Sequence, residues 1–150
     1  MPGTYSQILF HVVFSAKGRA GFIKPEIQSR LYDYIGGIVR AEKGTLYAIG
    51  GMPDHVHLLL RWRTDAAIAD LMRTAKARSS LWVHQTFESL PTFAWQEGYA
   101  VFSVSKSAEA DVTLYIENQA AHHKERDFKE ELLALLRAHG VDFDERYVFD

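Results

Sequence analysis

Apolar residues fall along this chain in two periodicities, and each stretch predicts an element. The run Ile8-Leu9-Phe10-His11-Val12-Val13-Phe14 is rich in aromatic and β-branched residues and gives way to the small, turn-prone Ser15, Ala16 and Gly18, which predicts a strand. His11 within it reads as a satisfied core or sheet-surface histidine in preference to a ligand. From Pro25, Ile27, Leu31, Tyr34, Ile35 and Ile38 recur at helical spacing up to a stop at Gly44, an amphipathic helix weakened by Gly36-Gly37. Residues 45–49 and 56–62 are short apolar stretches separated by Gly50-Gly51-Met52-Pro53-Asp54, which looks like a hairpin connection. Thr64 or Asp65 is expected to cap a second helix whose buried stripe is Ile68, Leu71, Met72, Ala75 and Trp82. After Leu90-Pro91, the aromatic residues 93–99 and the apolar residues 100–104 predict one or two strands. Ser107 is expected to cap a helix running to about Ala121, and a last helix buries Phe128, Leu132, Leu135 and Leu136 before stopping near Gly140.

The order is strand, helix, strand, strand, helix, strand or strands, then two helices. It predicts an α+β fold of ferredoxin-like type, an antiparallel sheet with helices packed on it. With 150 residues, 47% apolar and 24% charged, the chain can bury one ordinary core, so a single domain over 1–150 is expected. No internal repeat, low-complexity segment or linker interrupts it. No apolar run approaches the roughly 18 residues needed to cross a bilayer, and Met1-Pro2-Gly3-Thr4-Tyr5-Ser6-Gln7 lacks the layout of a signal peptide, so a cytoplasmic protein without a membrane partner is expected.

A formal charge of -2 argues against coating DNA by bulk electrostatics, although local basic patches remain open. The absence of cysteine excludes disulfides, thiolate metal sites and a cysteine nucleophile, leaving His, carboxylate or amide oxygen for any metal. Seven histidines make their arrangement worth following. In a strand, His55 and His57 project from one face while Val56 and Leu58 turn to the other, so two imidazoles can converge on one ion; such pairs also arise by chance. Leu59, Arg61 and Arg63 continue that face, and the arginines could meet a phosphate backbone. Arg73, Lys76 and Arg78 form a basic helix face, read either as a phosphate contact or as a solvated surface. Tyr115 and Gln119 lie four apart on one helical face, where a phenol and an amide oxygen can approach the same object or simply pack; His122 and His123 follow on roughly that face.

Three segments taken together resemble a known family. Met52-Pro53-Asp54-His55-Val56-His57-Leu58-Leu59-Leu60, Trp95-Gln96-Glu97-Gly98-Tyr99 with Phe102-Ser103-Val104-Ser105, and Tyr115-Ile116-Glu117-Asn118-Gln119 with His122-His123 look like the insertion-sequence-200-like transposases. These are the single-tyrosine HUH transposases, which include the REP-associated tyrosine transposases. The resemblance runs from about Phe10 to Tyr147. It implies a metal site on a central strand with His55 and His57 as ligands and Gln119 as the third, Mg²⁺ or Mn²⁺ as the ion, and Tyr115 as the nucleophile. It further implies a DNA strand transferase that cleaves and rejoins single-stranded, hairpin-bearing DNA through a 5′-phosphotyrosine bond. A homodimer is implied too, in which the tyrosine helix of one subunit can complete the other's site, although some relatives act as monomers. Lys17, Arg19, Arg61, Arg63, Arg73, Lys76 and Arg78 are the candidates for backbone contacts. The tyrosine needs deprotonation by metal-bound water, a neighbouring base or solvent, because its reference pKa is near ~10. Two rivals make different predictions: a domesticated hairpin-binding module would not cut, and a water-using phosphoesterase would survive loss of Tyr115.

Overall fold

The computed structural model describes residues 3–122 and 127–148. Strands β1 (Leu9–Ser15), β2 (Thr45–Met52), β3 (His55–Arg61) and β4 (Ala100–Val104) form one antiparallel sheet in the order β2-β3-β1-β4. Helix α1 (Pro25–Ala41) connects β1 to β2 and α2 (Ile68–Thr86) connects β3 to β4, each crossing over one intervening strand. This is the ferredoxin-like α+β arrangement that the order of elements predicts. Three further helices, α3 (Glu109–Glu117), α4 (Gln119–His122) and α5 (Phe128–Ala138), follow β4.

Alternation along the strands sorts the two faces of the sheet. Val12 and Phe14 of β1 and Val56, Leu58 and Leu60 of β3 enter the main core with Leu31, Ile35 and Val39 of α1 and Leu71, Met72 and Val83 of α2. The two helices are held side by side by the stacked rings of Tyr34 and Trp82, 4.8 Å apart. The opposite face, which carries His11, His55 and His57, is buried under the last three helices through two smaller clusters. Leu9, Ala48 and Leu59 pack with Ile116 of α3, and Val13 and Phe102 pack with Phe128, Leu132 and Leu136 of α5. The sequence pattern marks β1 and β3 as apolar on both faces for this reason: they are the two inner strands of a sheet covered on both sides.

Four local expectations are corrected. Gly50, Gly51 and Met52 are not part of a long hairpin loop; β2 pairs with β3 as far as Met52 opposite His55, leaving only Pro53-Asp54 in the turn. Gly50 is there because α3 presses on the strand: a Cβ on it would lie 2.1 Å from the carbonyl oxygen of Ile116. Neither Thr64 nor Asp65 caps α2, which starts at Ile68 after Ala67, and Asp65 instead accepts from Arg63 Nε at 2.6 Å. Ser107 sits in a 3₁₀ turn with its hydroxyl 3.0 Å from that of Ser105, and the expected helix to Ala121 is divided at Asn118 into α3 and α4.

The aromatic residues before β4 form a loop, tied to the end of β1 by the Ala16–Trp95 bridge. Trp95 packs edge-on against Phe14 and Phe93 at 4.7 and 4.9 Å, and its indole N–H donates to Ser79 of α2. Gln96 turns its side-chain oxygen inward to accept from the Ser15 amide at 2.6 Å and the Ser15 hydroxyl at 2.9 Å. Among the described residues, no helix is long and apolar enough to cross a membrane.

Candidate metal centre and nucleophile

His55 and His57 are the first and third residues of β3, and the period of two brings both rings onto the face under α3 and α5. The ring centroids are 5.1 Å apart. Each ring uses one nitrogen outward and commits the other to a partner. His55 Nδ1 is 2.7 Å from Asp54 Oδ1, and His57 Nδ1 is 2.8 Å from His11 Nε2. The other ring nitrogens, His55 Nε2 and His57 Nε2, face the same oxygen, Oε1 of Glu131, at 3.4 and 3.0 Å. Gln119 Oε1 adds a second oxygen 3.2 Å from His55 Nε2.

His55, His57 and Glu131 offer one ligand atom each within 4.8 Å of one another, all buried. Two imidazole nitrogens, a carboxylate oxygen and a nearby amide oxygen form a donor set suited to a divalent first-row ion or Mg²⁺. The outward nitrogens fit as well: ligating imidazoles are held by a carboxylate or another acceptor on their second nitrogen, the role Asp54 and His11 fill. The residues present therefore fit the ion that the family resemblance implies.

The electrostatics follow from the same contacts. Burial pulls the His55 imidazole down, but the carboxylates of Asp54 and Glu131 outweigh it and hold the group up at about 9. Burial would raise the Glu131 carboxyl, but hydrogen bonds from His55, His57 and Tyr115 keep it well below the usual carboxylate range. At His11 burial, reinforced by His57, outweighs the pull of Glu131 and lowers the group to about 3. A proton on His55 and a divalent cation are thus alternative positive charges for one buried carboxylate.

Tyr115 approaches from α3. Its hydroxyl donates to the second oxygen of Glu131, and its ring lies edge-on to those of His57 and His11 at 5.8 and 6.1 Å. One turn on, Gln119 keeps the helical register across the Asn118 break and donates its side-chain N–H to the Tyr115 carbonyl at 3.3 Å. The structure therefore brings together His55, His57, Gln119 and Tyr115 within one chain. His123 lies outside the described residues, and of His122 only the backbone, within α4, is described.

One participant escapes the reading of the sequence. Glu131 had a signal: it lies three residues after Phe128 and four before Leu135, a charge inside the apolar stripe of α5. His11 is a satisfied core histidine, as the sequence predicts: it is buried, bonded to His57, and lies on the same face of β1 as Leu9 and Val13, opposite Leu59 on the histidine strand.

The basic candidates lie in different places. Lys17 and Arg19 are exposed on the 3₁₀ turn after β1, at the His55 end of the sheet, and Arg73 and Arg78 are exposed on α2. Arg73 pairs with Asp70 at 3.1 Å. Arg61 is at the far end of β3, where it donates to the Ser6 carbonyl, and Arg63 pairs with Asp65 and donates to the Glu42 carbonyl. Lys76 is committed to the fold: its ammonium donates to the carbonyls of Gln96, Glu97 and Gly98 at 2.9, 3.2 and 2.5 Å.

Comparison with known proteins gives the family and the fold. Residues 4–119 match the family described as Transposase IS200 like. The ISDra2 transposase TnpA of Deinococcus radiodurans is 28% identical over 128 residues, covering 82% of this chain and 90% of that protein. A crystal structure of a transposase candidate from Deinococcus radiodurans R1 superposes with a TM-score of 0.67 at 28% identity, covering 79% of this chain and 95% of the other. The fold is also shared with a REP-associated tyrosine transposase solved bound to a REP hairpin, with a TM-score of 0.56 and 16% identity over 77% of this chain and 68% of that one.

Proposed function

The chain belongs to the IS200-like transposases, and from that premise we propose that, as a single domain, it cuts and rejoins single-stranded DNA with Tyr115 as nucleophile beside a metal ion held by His55 and His57. The observation that carries this reading is convergence: the Tyr115 hydroxyl and the two Nε2 edges meet on one carboxylate, so nucleophile and cation seat share a single spot. Gln119 supplies a neighbouring oxygen, and in the DNA-free chain Glu131 supplies another. Bound there, Mg²⁺ or Mn²⁺ would neutralise charge that builds on a phosphate oxygen during attack.

The chain's own residues do the rest. Asp54 and His11 fix the ring orientations, so both Nε2 atoms point at the cation seat without reorganisation. Tyr115 presents its oxygen from α3, beside the imidazoles of His57 and His11. Attack forms a bond between that oxygen and the 5′ phosphate, breaks the bond from phosphorus to the 3′ oxygen, and leaves a 3′-hydroxyl. A 3′-hydroxyl from another strand reverses the exchange, and since one phosphodiester replaces another no nucleotide cofactor is needed. The carbonyl-bound Lys76 serves the site indirectly, by holding the loop that Gln96 ties to β1.

A hairpin-bearing single strand is the substrate this reading favours, because an unpaired strand can bend into a site set against a sheet. A protein of the same fold was solved on a REP hairpin. Lys17 and Arg19, exposed at the His55 end of the sheet, are the first candidates for backbone contacts, with the exposed Arg73 and Arg78 of α2 after them. Tyr115, Gln119 and both histidines meet within one chain, and a homodimer that exchanged its tyrosine helices would assemble the same set from two chains.

The test is incubation of wild-type and Tyr115→Phe protein with labelled hairpin DNA and Mn²⁺, followed by denaturing electrophoresis. A covalent adduct that requires both Tyr115 and metal is expected. Cleavage by Tyr115→Phe would point to a water nucleophile, and hairpin binding without any cleavage would point to a binding module.

A further inference from the structure

The described site has an accessibility problem. His55 and His57 are 0% exposed and Glu131 is 2% exposed. A phosphodiester must bring an oxygen to the two Nε2 edges and its phosphorus to the Tyr115 oxygen, and with α5 docked the two imidazoles are fully covered. What lies there instead is itself an anion with two oxygens. Oε1 of Glu131 faces both Nε2 atoms at 3.0 and 3.4 Å, and its other oxygen accepts from the Tyr115 hydroxyl. We propose that Glu131 holds the seat of the scissile phosphodiester, and that α5 is a plug that must withdraw before single-stranded DNA reacts. The inference rests on the reading of Tyr115 as nucleophile.

The way α5 is attached supports this. Its first residue, Phe128, stacks on His55 with centroids 4.4 Å apart and planes at 25°, closing the site from above. Its anchor is a small cluster of its own, Leu132 and Leu136 on Val13 and Phe102, separate from the main core beneath α1 and α2. Withdrawal of α5 therefore exposes a handful of apolar side chains and leaves the other face of the sheet packed, the kind of local opening that costs less than global unfolding. The same movement removes Phe128 and Glu131 together, because they lie one turn apart on one helix. A phosphodiester then replaces the carboxylate with the same charge and the same two-oxygen reach, so substrate competes directly with the plug.

The test uses the full chain with Leu136→Asp, which weakens the anchor without touching the site, and with Glu131→Gln, which keeps the shape and removes the charge. The first readout needs neither metal nor DNA: acylation of His55 and His57 by diethyl pyrocarbonate, mapped by mass spectrometry. Leu136→Asp is expected to accelerate it by about tenfold or more, as local opening becomes easier. The second is hydrogen exchange over residues 128–138, expected to speed up when hairpin DNA is added to the wild type. The third is the rate of the Tyr115 adduct, expected to rise in both variants. Unchanged acylation in a folded Leu136→Asp protein, or exchange that slows on adding DNA, overturns the plug. A fall in adduct rate in Glu131→Gln overturns it too, since Glu131 would then be a working member of the site. If Leu136→Asp does not fold, Glu131→Gln and the wild-type exchange decide alone. Cleavage persisting in Tyr115→Phe would sink the nucleophile reading, while the acylation result would still report whether α5 shields the histidines.

Discussion

The imidazoles of His11 and His57 meet nitrogen to nitrogen at 2.8 Å, across the pair of strands at the centre of the sheet. For His57 to offer Nε2 to a cation, its Nδ1 must carry the proton and donate it, which requires His11 Nε2 to be an unprotonated acceptor. Burial and the neighbouring ring lower His11 to about 3, and so keep it in that state. His11 is therefore a tautomer setter for the ligand beside it. Replacing it with Phe should weaken Mn²⁺ binding by roughly ten- to a hundredfold while leaving the fold intact. Isothermal titration of Mn²⁺ into His11→Phe measures this, and an unchanged affinity would remove His11 from the site.

The proton and the cation compete at His55, and this gives a pH dependence whose sign can be stated. The folded-state group titrates at about 9 against 6.5 for an ordinary histidine. A raised value means that the stability it contributes is fully present below 6.5 and is lost as pH rises through about 9, an effect of a few kcal/mol at most. Metal-free protein should accordingly lose resistance to urea from near-neutral pH to about 9, while Mn²⁺ affinity rises over the same window as the imidazole gives up its proton. Asp54→Asn should shrink both trends. Denaturation midpoints that stay level over this range would contradict the assignment.

Acid stability carries the opposite sign through His11. Its folded-state value is depressed to about 3, so below 6.5 the unfolded chain takes up a proton that the folded chain refuses, and stability is lost as pH falls. His11→Phe should flatten this acid limb. Urea midpoints of the two proteins between pH 6.5 and 4 provide the comparison, and parallel curves would show that His11 does not titrate this way.

Gly50 is expected to tolerate no side chain. A Cβ there would sit 2.1 Å from the Ile116 carbonyl oxygen, a backbone atom that can move only with α3 itself. Gly50→Ala should cost about 2–4 kcal/mol, or shift α3 enough to displace Tyr115 from Glu131. Thermal unfolding and adduct formation together distinguish these, and a variant normal in both would mean that α3 is held far more loosely than its packing indicates.

Basic residues of similar appearance in the sequence should behave differently on DNA. Lys76 spends its ammonium on three carbonyls of the loop before β4, so Lys76→Met should lower stability by roughly 1–3 kcal/mol without altering the salt dependence of hairpin binding. Arg78→Ala, on the exposed side of the same helix, should instead leave stability alone and reduce the salt slope by about one. Affinities measured over a salt series decide the matter. An unchanged slope for Arg78→Ala would take that residue off the DNA path.

What the sequence by itself determined is whatever depends on period and local chemistry. The alternation of β3 put His55 and His57 on one face, the four-residue spacing put Tyr115 and Gln119 on another, and the strand-helix order led to a ferredoxin-like sheet, because each is a property of a few neighbouring residues. Only the tertiary structure decided that these faces meet. Glu131 lies 74 residues from His57 in sequence and His11 lies 46 from it, and no local rule brings such partners together; packing of α5 and β1 against the same strand does. The same packing decided the fate of Lys76, since a lysine on a basic helix face and a lysine beneath a loop look alike until the loop is in place. Helix ends fell between the two: Thr64, Asp65 and Ser107 are good caps in isolation, but Asp65 is held by Arg63 and Ser107 by Ser105, partners that only the folded chain supplies.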